Sequence, residues 1–384
     1  MKKLILSALA TCLAVAPLMK YREPSTVNAE ELVDCKAAYL CDFESGTVAY
    51  SMNETERLPI ASMCKIMTLL LSFEAVDAGN LSYDEKITVS ENASGMGGSQ
   101  VFLGSNLSYP AEQLMKSVAV CSANDSCVAL AERIAGSESL FVERMNDRAR
   151  ELGAENTLFA NCTGLPKEPQ YSCAKDVSLM LRELLKHQKY FEFSKVWLED
   201  FAHPDDRTTT MTNTNKLVRF YEGCDGGKTG FTSQAGFCLA ATAKRGDTRL
   251  VSVVIGSATS DARFSSVKNL FNYAFANYES RKIVEAGKPL DEKLPVRGSK
   301  QKEISVCAEN ALTVFCKKGE TPNATAEFTL NRELKAPLAA GAEVGEAVLY
   351  RDGVEAGRCR LLAAESADKF SWWEAYQESA NHWN

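Results

Sequence analysis

Three short segments of the chain carry side chains that together could acylate a serine without the help of a histidine. In chain order they are Ser62-Met63-Cys64-Lys65, Ser122-Ala123-Asn124 and Lys228-Thr229-Gly230. A serine hydroxyl is a weak nucleophile until a base takes its proton, and a lysine can be that base when burial and nearby positive charge lower its pKa. Because residues three apart share a helix face, Lys65 is expected beside the Ser62 hydroxyl. Lys228 could supply the positive charge.

The combination of segments is more informative than any one of them. Ser-x-x-Lys starts at five positions in the chain and Ser-x-Asn at four, whereas Lys-Thr-Gly occurs once. Taken singly, the first segment fits a helix cap with a solvated lysine, the second a turn and the third a surface hairpin. The apolar neighbours of Lys65, which are Cys64 and Ile66-Met67, argue against a solvated lysine. The order and setting of the three segments therefore predict serine acyl transfer.

Composition and charge exclude several other classes of protein. The chain has 384 residues, of which 45% are hydrophobic and 24% charged, as in a soluble globular protein with room for two domains. Its net charge of −7 argues against a nucleic-acid partner, which needs a basic face. Three scattered histidines and the absence of a Cys-x-x-Cys pair leave little from which to build a zinc site. We expect neither a metal nor a cofactor.

Residues 1–29 predict a signal peptide. Lys2 and Lys3 precede an apolar stretch over 4–18 that is short for a membrane-spanning helix. Two small-x-small sites, Ala14-Val15-Ala16 and Val27-Asn28-Ala29, leave the cleavage position open. The protein is therefore expected to be exported and to act in the cell wall or at the outer face of the cytoplasmic membrane.

The thirteen cysteines of an exported chain would ordinarily suggest disulfides, and removal of Cys12 with the leader leaves an even number. Several of them, however, lie inside apolar segments, where a cysteine behaves as a small hydrophobic residue. We therefore predict mostly free, buried thiols, with a Cys162–Cys173 bridge as the alternative.

The residue pattern predicts an α/β (α+β) catalytic domain over 30–280 and a small β-rich domain over 285–363. Helices are expected over 64–75, with Ser62 at the first turn, over 113–135 with a break at Ser122-Ala123-Asn124-Asp125, and over 265–277. Apolar strands are expected over 236–243 and 249–255, so that Lys228 lies on a strand just before a hairpin. Residues 364–384 form an aromatic tail.

The segments and their surroundings resemble the penicillin-binding, active-site-serine acyltransferases, and among them the low-molecular-mass D-alanyl-D-alanine carboxypeptidases. The resemblance covers about residues 35–280 and implies a β-lactamase/transpeptidase-like domain, with an antiparallel sheet flanked by helices. The matching segments, in family order, are Pro59-Ile60-Ala61-Ser62-Met63-Cys64-Lys65, Gly98-Ser99-Gln100-Val101-Phe102-Leu103, Ser122-Ala123-Asn124-Asp125, Tyr171-Ser172-Cys173-Ala174-Lys175-Asp176 and Asp225-Gly226-Gly227-Lys228-Thr229-Gly230-Phe231-Thr232.

The resemblance implies a role for each catalytic residue. Ser62 would attack the carbonyl between the two terminal D-alanines of a peptidoglycan stem peptide, and Lys65 would take the serine proton. Ser122 would relay a proton to the leaving amine, while Asn124 would bind the substrate amide. β-Lactam antibiotics would acylate the same serine.

The resemblance also implies a binding strand. Lys228 and Thr229 would hold the terminal carboxylate, and Gly230 would let the substrate backbone approach the strand. Backbone N–H groups of Ser62 and Phe231 would form the oxyanion hole. Many relatives carry histidine where this chain has Phe231. We also expect Arg249 to support the carboxylate site.

Other interpretations remain open at this point. A class A β-lactamase would need a deacylating glutamate, which the stretch 159–164 lacks. A DD-endopeptidase that cuts cross-links would use the same residues. A non-catalytic wall-binding protein is disfavoured by intact Ser62, Lys65 and Lys228. The tail is a candidate for peripheral membrane contact, although Asp368, Glu374 and Glu378 outnumber its lysine.

Overall fold

The computed structural model describes residues 32–373. The predicted signal peptide, residues 1–29, and the tail beyond residue 373 lie outside the described residues. None of the helices within 32–373 combines the length and apolar character that a bilayer crossing requires.

A five-stranded antiparallel sheet forms the centre of the first domain. Its strands are β1 (Ala37–Asp42) and β2 (Val48–Met52), followed much later by β7 (Cys224–Thr232), β8 (Gly236–Arg245) and β9 (Thr248–Ser257). The order across the sheet is β2-β1-β9-β8-β7, which places β7 at an edge. The interior residues of β8 and β9 are mostly small or branched apolar residues, and they are buried because the sheet is covered on both faces.

Helices supply both covering layers. They are α1 (Lys65–Asp77), α2 (Glu91–Ser94), α3 (Ala111–Cys121), α4 (Asn124–Ala135), α5 (Glu138–Glu151), α6 (Ala174–Leu184), α7 (Gln188–Ser194), α8 (Leu217–Phe220) and α9 (Ser260–Asn277). On one face α9 packs on β8 and β9; on the other, α6 packs on β1 and β9 and against α1. Two small two-stranded antiparallel sheets flank the helical lobe: β3 (Lys86–Thr88) with β4 (Ser108–Pro110), and β5 (Leu198–Ala202) with β6 (Thr208–Thr212).

The predicted break in the long helical stretch is present. α3 ends at Cys121, and Ser122 follows with a left-handed φ of 68° before α4 begins at Asn124. The predicted start of α1 is displaced, because Ser62 lies in a separate 3₁₀ turn over Ala61–Cys64 and the α-helix begins at Lys65. The last helix also starts five residues earlier than predicted, at Ser260, because the Thr259 hydroxyl caps it by accepting from the Ala262 N–H.

A second, β-rich domain follows α9. Its strands are β10 (Tyr278–Val284), β11 (Pro289–Arg297), β12 (Glu303–Ala308), β13 (Leu312–Lys317), β14 (Ala324–Leu330), β15 (Leu334–Lys335), β16 (Glu343–Arg351) and β17 (Val354–Ala363). Six of them form one sheet in the order β14-β16-β17-β12-β11-β15, while β10 pairs with β13. Phe315 of β13 stacks on Tyr278 with ring centroids 5.0 Å apart and also packs into the core below α9. The predicted fold class, a helix-flanked antiparallel sheet followed by a β-rich domain, is confirmed.

All twelve cysteines within 32–373 are free. The Cys162 thiol donates to the Glu138 carboxylate at 3.3 Å, and the Cys173 sulfur accepts from the Asp176 N–H at the start of α6. The alternative of a Cys162–Cys173 bridge is therefore wrong, and the prediction of free, mostly buried thiols is confirmed for this part of the chain.

Candidate active site

Lys65 is the first residue of α1, and its side chain is completely buried. Its Nζ lies 3.1 Å from Ser62 Oγ, 2.6 Å from Asn124 Oδ1 and 2.5 Å from the Thr163 carbonyl oxygen. These three contacts match the three protons that an ammonium group can donate. The pairing of Ser62 with Lys65 expected from their spacing is present, although a 3₁₀ turn leading into the helix supplies it.

Asn124 fixes a second wall of the site. Its Oδ1 accepts from Lys65, and its Nδ2 donates to the Gly97 carbonyl at 2.7 Å. The buried Asp125 carboxylate accepts from the N–H groups of Val101 and Leu103. The loop over 97–103 is thereby tied to the start of α4, beside Ser62.

Ser122 carries a buried hydroxyl two residues before Asn124. It lies between the end of α3 and the start of α4 and has a left-handed backbone. The Oγ atom has no hydrogen-bond partner among residues 32–373. A buried hydroxyl without a partner costs stability, and this one is free to exchange a proton with a bound substrate.

The segment over 161–165 forms a third wall, which the sequence did not reveal. Asn161 Oδ1 accepts from the N–H groups of Thr163 and Gly164, and its Nδ2 donates to the Leu165 carbonyl at 2.8 Å. Gly164 has φ +78° and no room for a Cβ, which would collide with the Ala61 carbonyl. One asparagine therefore holds the turn that offers the Thr163 carbonyl to Lys65. An Asn-x-Thr-Gly turn pattern was the available signal.

Strand β7 forms the wall opposite α1, with its edge toward Ser62. A Cβ on Gly230 would lie 2.6 Å from the Ile60 carbonyl and 3.2 Å from the Ser62 N–H, so only glycine allows this approach. Lys228 is 1% exposed, and its Nζ donates to the Thr229 carbonyl at 3.0 Å. The Thr229 hydroxyl donates to Thr214 Oγ1 at 2.8 Å.

Burial is the main cause that lowers the pKa of Lys228 well below its ordinary value, and the charge of Lys65 adds to the effect. Two ammonium groups facing each other in a cleft of low dielectric repel, so removing a proton from Lys228 is easier than in water. An anion placed between the two side chains would offset this repulsion.

Phe231 differs from its neighbours because its ring is 55% exposed. It packs against Phe237 of β8 in a tilted arrangement, with ring centroids 4.3 Å apart. The side chain therefore borders the mouth of the cleft, and the contribution expected of Phe231 at the reacting carbonyl is its backbone N–H.

Arg249 does not lie at this site, which corrects the expectation from sequence. Its guanidinium forms a two-pronged ion pair with Asp225, with both N–O distances 2.8 Å, and donates to the Thr242 hydroxyl. Lys228 pairs with Ala240 of β8, whereas Arg249 pairs with Lys244. Four residues of strand separate the two positions, or about 14 Å. Arg249 secures the far end of the sheet.

A different arginine, Arg263, lies behind the binding strand with its guanidinium buried. It occupies the supporting position that was expected of Arg249. It projects from the first turns of α9, and its Nη1 donates to the carbonyls of Gly230 and Cys238 at 3.2 Å each. Burial lowers the pKa of Arg263 to about 10. The helix predicted from sequence began at 265 and so left Arg263 outside it, whereas α9 begins at Ser260.

The arrangement brings together a hydroxyl nucleophile, a buried lysine, an unpartnered hydroxyl and a strand edge backed by two further cations. Such a site can acylate Ser62 with a substrate that ends in a carboxylate and lies along β7. The structure assembles Ser62, Lys65, Ser122, Asn124, Lys228, Thr229, Gly230 and Phe231, but not Arg249.

Known protein families and a known relative match most of the chain. Residues 24–259 match the D-alanyl-D-alanine carboxypeptidase family, and residues 278–369 match the C-terminal domain of penicillin-binding protein 5. The D-alanyl-D-alanine carboxypeptidase DacF of Bacillus subtilis is 36% identical over 372 residues, which cover 97% of this chain and 95% of the relative.

Solved structures of penicillin-binding proteins share the fold of this chain. Penicillin-binding protein 5 of Haemophilus influenzae is 30% identical, with a TM-score of 0.67, over 88% of this chain and 98% of its own. Penicillin-binding protein D2 of Listeria monocytogenes, solved in its ampicillin-bound form, is 30% identical with a TM-score of 0.57, over 63% of this chain and 98% of its own. The chain belongs to the D-alanyl-D-alanine carboxypeptidase family of serine peptidases, and it is a low-molecular-mass penicillin-binding protein.

Proposed function

We propose that Ser62 removes the terminal D-alanine of peptidoglycan stem pentapeptides through an acyl-enzyme. The observation that carries the proposal is the buried Lys65 Nζ, held 3.1 Å from Ser62 Oγ by two further acceptors. Lys65 in its neutral form takes the hydroxyl proton as Oγ bonds to the penultimate D-alanine carbonyl carbon. The negative charge on the carbonyl oxygen is stabilised by the N–H groups of Ser62 and Phe231.

Breakdown of the tetrahedral intermediate needs a proton at the departing amine. Ser122 is the proposed donor for this step, and the proposal is supported by its buried Oγ, which has no hydrogen-bond partner among residues 32–373. As the C–N bond breaks, the amine takes the Ser122 proton, and Ser122 regains one from Lys65. A water molecule then hydrolyses the ester and regenerates Ser62.

The substrate carboxylate is assigned to the end of the cleft bounded by Lys228 and Thr229, with Arg263 behind Gly230. Lys228 and Lys65 repel each other without an anion. A bound carboxylate therefore restores the charged form of Lys228, and binding is linked to proton uptake. Local positive charge of this kind explains how a chain with a net charge of −7 can bind an anion.

An endopeptidase that cleaves peptide cross-links is the second candidate, because the same machinery would serve it. Both activities act on peptidoglycan, and a protein that acts on peptidoglycan works outside the cytoplasm. The signal peptide over 1–29, the domain limits at 30–280 and 285–363, and membrane contact by the tail over 364–384 remain predictions.

The first prediction concerns the nucleophile. The protein releases D-alanine from a stem pentapeptide, and benzylpenicillin leaves a long-lived adduct that peptide mapping assigns to Ser62, because no deacylating glutamate is present in 159–164. Ser62→Ala abolishes both. Unchanged D-alanine release by Ser62→Ala would contradict the proposal, and faster cleavage of a cross-linked dimer than of the pentapeptide would favour the endopeptidase.

The second prediction concerns Asn161 as a positioning residue for Lys65. Asn161→Ala frees the turn that holds the Thr163 carbonyl and slows acylation by penicillin about tenfold to a hundredfold, since small displacements of a catalytic group have effects of this size. Asn146→Ala is the matched control, because Asn146 braces Phe159 of the same segment through two hydrogen bonds without reaching Thr163.

Both variants are expected to lower the unfolding midpoint by similar amounts in a denaturant titration. Only Asn161→Ala should change the acylation rate constant. Equal acylation rates for the two variants would reduce Asn161 to a purely structural role.

The third prediction concerns pH. Because the pKa of Lys228 is lowered, its charge is lost as pH rises through that value, and KM for a carboxylate-ended peptide rises at a pH well below the ordinary lysine pKa. Lys228→Arg retains its charge over this range, so any activity it keeps should show an alkaline limb displaced to higher pH. An alkaline limb that is identical in the two proteins would assign it to another group.

A further inference from the structure

The edge of β7 continues past Phe231 into a groove next to Ser62. One wall is the turn between β7 and β8, and the other is the segment that follows Gly164. The groove is lined by Pro59, Ile60, Ala61, Gly164, Leu165, Pro166, Lys167, Glu168, Gln170, Thr232 and Gln234. Gly164 and Leu165 also belong to the turn held by Asn161; the other residues have no part in the chemistry at Ser62 described above.

The position of the groove follows from the direction of the bound peptide. With its carboxylate at Thr229 and its scissile carbonyl at the N–H of Phe231, the substrate runs antiparallel to β7. An extended chain advances about 3.3 Å per residue. The stem residue that precedes the two D-alanines, the third residue of the stem, therefore lies beside Thr232–Gln234, and its side chain meets the groove.

The wall opposite β7 is firmly held rather than a free loop. Gln170 Oε1 accepts from the N–H groups of Ala160 and Asn161 at 3.0 and 3.1 Å. Asn161 in turn holds the Thr163 carbonyl that contacts Lys65. The groove and the catalytic lysine thus share one segment of chain, whose geometry is fixed on both sides of Gly164.

The outer end of the groove carries two opposite charges. Glu168 Oε1 accepts from Gln234 Nε2 at 3.3 Å, which connects the two walls. Lys167 and Glu168 are both exposed, and the side-chain hydrogen bond that Glu168 accepts comes from the uncharged amide of Gln234. Adjacent exposed charges at the end of a peptide-binding groove suit a ligand group that itself carries both signs.

We propose that this groove is the subsite for the third residue of the stem peptide and selects a side chain that ends in both an ammonium and a carboxylate. Such a side chain is that of meso-diaminopimelate, whose ammonium would donate to Glu168 and whose carboxylate would accept from Lys167. A lysine side chain would engage Glu168 alone. The proposal rests on the carboxypeptidase function proposed above.

The test compares kcat/KM for D-alanine release from two pentapeptides that differ only in their third residue, meso-diaminopimelate or L-lysine. The wild-type protein prefers the first by about three- to fivefold, the size expected of one solvent-exposed ion pair. Lys167→Met lowers kcat/KM for the diaminopimelate peptide more than for the lysine peptide and so removes most of the preference. Glu168→Gln lowers both.

The controls are Lys335→Met and Glu327→Gln, which remove exposed charges of the same kind from the β-rich domain and should leave both values unchanged. Acylation of Ser62 by benzylpenicillin, whose side chain is uncharged, reports the integrity of each variant. D-Alanine release without a preference between the peptides, or equal losses on both peptides in Lys167→Met, would overturn the subsite. Failure of the wild-type protein to release D-alanine from either peptide would instead refute the proposed function, and the subsite with it.

Discussion

The site depends on keeping one amine buried beside a serine hydroxyl. Removing Lys65 from water is costly unless each of its donors finds an acceptor, and Asn124 and the Thr163 carbonyl meet this requirement from two separate parts of the fold. Asn124 begins α4 and is tied to the loop over 97–103, whereas Thr163 belongs to a turn held by Asn161. The cleft is therefore the place where three segments from distant parts of the chain meet at one nitrogen atom.

The opposite wall meets a second constraint, which is the close approach of β7 to the 3₁₀ turn of Ser62. Glycine at 230 permits it, and the buried cations Lys228 and Arg263 follow from it, since both lie against this stretch of strand. Burial lowers the pKa of Lys228, the charges of Lys65 and Arg263 add to this effect, and a substrate carboxylate bound beside Thr229 would offset this repulsion.

The sequence predicted the residues whose role depends on local spacing and missed those whose role depends on tertiary packing. Ser62 and Lys65 are three residues apart and the Lys-Thr-Gly tripeptide is unique, so spacing together with the order of the three segments sufficed for them. The choice between Arg249 and Arg263 could not be made in this way. It depends on the register of β9 and on where α9 crosses the sheet, and both are set by long-range contacts. The two-domain fold was predictable for the same reason as the motif, because alternating and helical patterns are local signals.

The most direct test of the central role of Lys65 is the rate at which benzylpenicillin acylates Ser62 in Lys65→Met, followed by intact-protein mass spectrometry. Methionine fills a similar volume without a basic nitrogen, and circular dichroism can establish that the variant is folded. The account predicts that the adduct forms at least a hundredfold more slowly than in the wild-type protein, the order of magnitude supplied by a positioned base. Acylation of a folded Lys65→Met protein at the wild-type rate would contradict it.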